Sequence, residues 1–295
     1  MSGRHLVVFG FGYTGAAAAR AARDAGLSVT ATSRDPSRFV RSDIPLVPFA
    51  QAGAALAQAT HVLSTVPPPG DGGSGEGDDP VLAAWLPVIA AAPRLRWLGY
   101  LSTTGVYGDH AGGWVDETTP PAPVQARSRR RLAVEQDWAG FGGRFAVDLF
   151  RVAGIYGPGR SVLTELRAGR GRRVIRPGHP FCRIHRDDIA GAVLAAMQQD
   201  RVAGARVLNL SDDLPADSAD VVEEAARLLG VAPPEAIAFA AAEAGMSPMA
   251  RSFWQESRRV GSAATQAALG YRWRYPSYRE GLRAVLAAEQ ADGAA

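Results

Sequence analysis

His5-Leu-Val-Val-Phe9 is a short apolar run, and it breaks at once into Gly10-Phe11-Gly12-Tyr13-Thr14-Gly15 and an alanine-rich stretch. A strand, a glycine turn and a helix start in that order form the phosphate-binding turn of a dinucleotide fold. Gly10 permits the tight turn, Gly12 lets backbone approach a diphosphate, and Gly15 lets the helix pack closely on the strand. The free N–H groups at the helix start then face the anion.

A second strand, Leu27-Ser-Val-Thr-Ala-Thr32, ends at Ser33-Arg34. An acidic residue at this point would select NAD by binding the ribose 2′-hydroxyl, whereas an arginine accommodates the extra phosphate of NADP. Asp35 falls one or two places late for the acidic role, Pro36 turns the chain, and Arg38 adds a second charge. NADP(H) is therefore the expected cofactor, with NAD(H) as the alternative. The competing reading makes Arg34 and Arg38 solvated loop charges.

The 295 residues are 47% hydrophobic and 21% charged, enough for one large α/β domain, or that domain and a smaller lobe. With no basic leader and no apolar run of membrane length, the expected location is the cytoplasm, without a membrane partner. Cys182 is the one cysteine, which excludes an intrachain disulfide and a cysteine metal cluster. The five histidines, at 5, 61, 110, 179 and 185, show no close ligand pairing, so no metal is expected. A net charge of +3 is too mild, and motifs too few, for nucleic acid. All 32 positions counted as lysine or arginine are arginine, so no mechanism here can use a lysine.

Strands are expected at 5–9, 27–32, 45–49, 61–66, 95–102 and 145–152, with helices at 14–25, 80–92 and 124–139 between them. This alternation predicts a doubly wound parallel-sheet Rossmann fold with a smaller C-terminal substrate lobe. Thr65 and Val66 close strand four at the carboxyl edge, where cofactors lie, and Gly154 and Ile155 follow strand six at the same edge. The breaker-rich stretch 67–79 reads either as a linker or as a lid that orders on ligand binding. Beyond 158 a helix at 161–169, a strand at 173–176, a helix beginning near Asp187 and Asp188 as N-cap residues, and a strand at 207–210 are expected. Helices near 217–229, 247–257 and 278–289 follow. The division reads as a dinucleotide-binding domain over 1–160, to which 184–210 returns, and a lobe formed by 161–183 and 211–295.

Four segments together resemble the extended short-chain dehydrogenase/reductase family, the branch of NAD-dependent epimerases and dehydratases. They are the glycine turn, Leu101-Ser-Thr-Thr-Gly-Val-Tyr-Gly108, Arg151-Val-Ala-Gly-Ile-Tyr-Gly-Pro-Gly159 and Ile184-His-Arg-Asp-Asp188. The C-terminal part looks like an atypical subgroup. The resemblance implies a Ser/Thr, a Tyr and a Lys four residues beyond it as the chemical centre. Thr103 matches the first. Counting places Arg127 at the tyrosine position and Arg131 at the lysine position, and 124–138 contains no tyrosine in any register.

A guanidinium is always protonated and cannot take a proton as a phenolate does. Arg131 can still donate to the cofactor ribose. Arg127, four residues earlier on the same helical face, would put a fixed positive charge in the substrate pocket, which suits a carboxylate or phosphate; the competing reading makes 127–131 an exposed charged helix. Tyr107 and Tyr156 in the two Tyr-Gly turns, Asp109, Asp116, Glu117 and His185 are the remaining proton-transfer candidates, each with a structural alternative. Cys182 lacks an activating neighbour.

Two functional readings follow. One is an NADP-dependent oxidoreductase or epimerase acting on a small polar, anionic or sugar-nucleotide-like substrate. The other is a catalytically impaired NADP(H)-binding redox sensor or regulator. A monomer or a homodimer fits either.

Overall fold

The computed structural model describes residues 3–40, 42–70 and 79–293. Seven parallel strands form the central sheet: β1 (His5–Phe9), β2 (Ser28–Ser33), β3 (Leu46–Pro48), β4 (His61–Ser64), β5 (Trp97–Thr103), β6 (Ala146–Val152) and β7 (Gly204–Leu210). Their spatial order is 3-2-1-4-5-6-7, the doubly wound order whose topological switch lies between β1 and β4. Leu6 pairs with Val29 on one side and His61 on the other, and Trp97 pairs with Ala146. The Rossmann expectation is met, and strand seven joins the sheet beside β6.

The central strands β1, β4, β5 and β6 are buried at nearly every position, as strands covered on both faces are. The two-residue period of a strand sends Leu6 and Val8 into one core and Val7 and Phe9 into the other. The first core is closed by α1 (Tyr13–Asp24) and by α6 (Arg186–Gln198), a helix that lies against α1. On α1 the buried side is Thr14, Gly15, Ala18, Ala19 and Ala22, a stripe of small residues that allows this close approach. The second face carries α2 (Gly53–Gln58), α3 (Pro80–Ala91) and α4 (Ala126–Ala139). Asp79 caps α3 by accepting from the amides of Val81 (2.7 Å) and Leu82 (2.9 Å), with Pro80 at its first position.

A separate cluster of Tyr156, Leu163, Val221, Tyr278, Leu282 and Val285 joins α5 (Val162–Arg167), α7 (Ser218–Leu229) and α11 (Tyr278–Gly293). Between α7 and α11 lie α8 (Phe239–Glu243), α9 (Pro248–Phe253) and α10 (Ala263–Leu269). Three two-stranded parallel pairs link distant segments. They are Gly154–Tyr156 with Arg183–His185, Arg173–Ile175 with Ala236–Ala238, and Trp114–Val115 with Arg259–Val260.

Two local expectations are corrected. The N-cap of α6 is His185, whose Nδ1 accepts from the Asp187 amide at 3.2 Å, while Asp187 and Asp188 sit inside the first turn. Asp188 instead accepts from the amides of Arg274 (2.6 Å) and Tyr275 (3.0 Å). The helix expected over 247–257 ends at Phe253. Residues 71–78 of the stretch read as a linker or lid lie outside the described residues.

Among the described residues no helix is long and apolar enough to cross a membrane. None of their His, Cys, Asp and Glu side chains form a metal-binding group of three or more.

Candidate active site

The turn after β1 is built as its glycines require. Gly10 has φ +93°, a conformation that L side chains rarely adopt. A Cβ on Gly15 would lie 2.0 Å from the Gly10 carbonyl oxygen, so α1 can start here only with glycine. The Thr65 hydroxyl stands 3.0 Å from both the Phe9 and Gly10 carbonyl oxygens and fastens the turn to the end of β4. Val66 packs behind it, partly buried. The amides of Gly10 and Phe11 are taken internally, by the Thr32 hydroxyl (3.3 Å) and the Thr32 carbonyl (3.0 Å). The anion-facing amides therefore begin at Gly12, the N-cap of α1, which has no side-chain cap and open space where a Cβ would stand.

These amides open onto a cleft of about 640 Å³ at the carboxyl edge of the sheet. Its lining includes Gly12, Tyr13, Thr14, Gly15, Thr65, Thr103, Arg127, Arg131, Gly154 and Ile155, ten residues singled out from the sequence. Tyr13 crosses to the turn after β6, where its hydroxyl donates to the Pro158 carbonyl at 3.1 Å. Ser33, Arg34 and Arg38 stand at the end of β2, outside the cleft lining. Ser33 accepts from the Asp35 amide, and the Asp35 carboxylate caps the following turn through the amide (3.1 Å) and hydroxyl (2.5 Å) of Ser37. Arg34 and Arg38 are exposed.

Thr103 ends β5, and its Oγ1 accepts from the Gly105 amide at 3.1 Å. Facing it, Arg131 of α4 donates to the Leu101 carbonyl at 2.8 Å. Arg127, one turn earlier, lies with its guanidinium 4.4 Å from the ring centre of Phe253, a cation–π contact that fixes its direction. Beneath these residues runs a buried polar chain. Ser102 donates to Glu135 at 2.5 Å, Glu135 pairs with Arg151 at 2.8 Å, and the Arg151 guanidinium sits 4.7 Å from the ring centre of Tyr107.

Tyr107 is not in the cleft. It is fully buried with its hydroxyl on Asn209 at 2.8 Å, and burial raises its pKa. Tyr156 is likewise buried against the Ser277 carbonyl, with burial pushing its pKa up. Asp109 accepts from the Ser257 amide at 2.7 Å, which lowers its pKa, and Asp116 is held low by Thr118. Glu117 accepts from Thr265 at 2.5 Å. His185 is a buried cap whose pKa burial lowers to about 4. Cys182 lines the cleft, yet burial raises its thiol pKa, which disfavours the nucleophilic thiolate.

Sequence reasoning missed the far wall of the cleft: Arg160, Pro180, Phe181, Ser252, Phe253, Glu256, Arg258 and Val260. The 252–260 part carries no local motif. It is brought in by the pairing of Arg259–Val260 with Trp114–Val115 and by hydrogen bonds from the His110 and Gly112 amides to the Ser257 carbonyl, both 3.0 Å.

No family model matches the chain. Protein YeeZ of Escherichia coli strain K12 is 33% identical over 214 residues, covering 71% of this chain and 74% of its own. A 3-diazoavenalumate denitrifying reductase of Streptomyces is 29% identical over 186 residues, 60% of this chain and 58% of its own. Among solved structures, a functionally unknown conserved protein from Silicibacter pomeroyi superposes with a TM-score of 0.87 at 42% identity, covering 97% of this chain and 99% of its own. An NAD-dependent epimerase/dehydratase-type protein from Methylobacillus flagellatus gives 0.73 at 22% identity, with 98% and 100% covered. Human epimerase family protein SDR39U1, solved with NADPH, gives 0.74 at 18% identity, with 95% and 98% covered. The chain thus belongs to the family of Escherichia coli Protein YeeZ, and its fold is that of the NAD-dependent epimerase/dehydratase-like short-chain dehydrogenase/reductases.

Proposed function

We propose that this protein is an NAD(P)-dependent oxidoreductase of epimerase/dehydratase type, preferring NADP(H), that acts on a small polar substrate carrying a negative charge. The observation that carries the reading is the uncapped N-terminus of α1, opening at Gly12 onto the cleft at the β1–β4 switch. The open space at Gly12 fits a diphosphate lying against the backbone. Amides from Gly12 to Gly15 would hold that diphosphate, and Arg131 and Thr103 would face the nicotinamide half. The NADPH complex of the SDR39U1 protein, on the same fold, supports this choice of cofactor class. When bound, the nicotinamide supplies hydride transfer.

Preference for NADP(H) rests on β2. The nearby carboxylate, Asp35, is committed to capping, while Arg34 and Arg38 are exposed beside the turn and free to meet a 2′-phosphate. The negative charge of the substrate is inferred from Arg127, a fixed cation stacked on Phe253 in the cleft wall.

The redox-sensor reading has one observation in its favour: α4 offers no tyrosine and the chain no lysine to move a proton. Incubating the protein with NADPH and a panel of carboxylated and neutral carbonyl compounds separates the two. Consumption of NADPH with carboxylated compounds is expected, and Arg127→Ala should cut it by about tenfold or more while affecting neutral ones little. Tight NADPH binding without oxidation of any compound would favour the sensor.

A further inference from the structure

The cleft lining holds four arginines (127, 131, 160 and 258) and, among its described residues, one carboxylate, Glu256. That carboxylate is more than nine-tenths buried. Its Oε2 accepts from Arg258 Nη1 at 2.9 Å, whereas its Oε1 has no hydrogen-bond partner. A buried acceptor left open in this way is costly in a folded protein, and the surroundings hold its segment in place. They do so through backbone. The neighbouring Ser257 amide donates to Asp109, the Ser257 carbonyl takes the His110 and Gly112 amides, and Arg258 also reaches the Gly108 carbonyl at 2.5 Å. Three residues before Glu256, Phe253 carries the Arg127 guanidinium, and Gln125 ties the start of α4 to the Ser252 carbonyl at 2.9 Å. Arg127, held by Phe253, and Glu256, a buried carboxylate with one unpartnered oxygen, thus stand in the wall of the same cleft.

We infer that Glu256 is a specificity-determining residue whose Oε1 accepts a hydrogen bond from a hydroxyl group of the substrate, so that the substrate class is a hydroxylated organic anion. The anionic group lies on Arg127 and the hydroxyl on Glu256. A ligand with the anion alone leaves Oε1 unsatisfied, and one with a second anion at that point meets a like charge, so the pair discriminates in both directions. This rests on the proposed cofactor-binding cleft.

The test uses the full chain loaded with NADP⁺, with butyrate and 2-, 3- and 4-hydroxybutyrate as calorimetric probes that step a hydroxyl away from a carboxylate. At least one hydroxybutyrate should bind about tenfold or more tightly than butyrate, the usual weight of a hydrogen bond to a charged acceptor. Glu256→Ala should abolish that advantage and Glu256→Gln should reduce it, with NADPH affinity of each variant reporting that the cleft is folded. If no hydroxybutyrate outperforms butyrate, or if the advantage survives in Glu256→Ala, the inference is overturned. Failure of the wild-type chain to bind NADPH would instead strike the reading on which it rests.

Discussion

Single residues decide whether the carboxyl edge of this sheet can work. Glu135 is the clearest structural case: it accepts from Ser102 and pairs with Arg151, both ions nearly fully buried. Removing one partner strands the other charge, which typically costs about 3–5 kcal/mol. Glu135→Ala should therefore lower the unfolding free energy by roughly that amount in urea denaturation; a loss below about 1 kcal/mol would mean that Arg151 is satisfied elsewhere. The same network accounts for Tyr107. Its hydroxyl is spent on Asn209 and its ring lies against Arg151, which matches the packing alternative that the sequence offered beside a proton-transfer role.

At the scale of elements, the β1–α1 unit was fully legible because its demands are local. Gly10 and Gly15 are fixed by contacts to residues within the turn and by Thr65 at the end of the neighbouring strand. The end of β2 is equally local, and the proposed preference for NADP(H) rests on it. Arg34→Ala combined with Arg38→Ala should weaken NADPH by about 10- to 100-fold while leaving NADH nearly unchanged, as fluorescence titration with each nucleotide would reveal. Equal loss for both nucleotides would assign the arginines to general electrostatics. By contrast, α2 and α10 are short, alanine-rich helices whose weak periodicity gave no signal. The cap of α6 falls in a run of four polar residues, 185–188, where the extended backbone of His185 (φ −71°, ψ 140°) separates it from Asp187 and Asp188. Glu256 was illegible for a different reason. Its place depends on a two-residue strand pairing across more than a hundred positions, which no window of sequence contains.

For the whole molecule, buried imidazoles contribute to the response to acid. His61 lies between Thr60 and the Met197 carbonyl at the end of α6, and burial lowers its pKa from 6.5 to about 4. A native pKa below the unfolded one means that the unfolded chain takes up the proton first as pH falls. Stability is fully present above about pH 6.5, declines through the window down to about 4, and loses no more from this group below it. The full effect is about 3 kcal/mol, and His185 adds in the same direction. His61→Gln should flatten the decline of unfolding free energy between these pH values; an unchanged slope would show that His61 titrates normally in the fold.

The same scale holds the question of what the sheet and its cleft are for, and calorimetric titration of NADPH into the wild-type chain and into Gly12→Asp answers it. Space is open at Gly12, so the substitution should fold normally while setting a negative charge against the diphosphate. Saturable one-to-one binding to the wild type, weakened by about 100-fold or more in Gly12→Asp with the melting temperature not lowered, is the expected result. A well-folded wild-type chain that takes up neither NADPH nor NADH would contradict the assignment of the α1 N-terminus as a nicotinamide-nucleotide site.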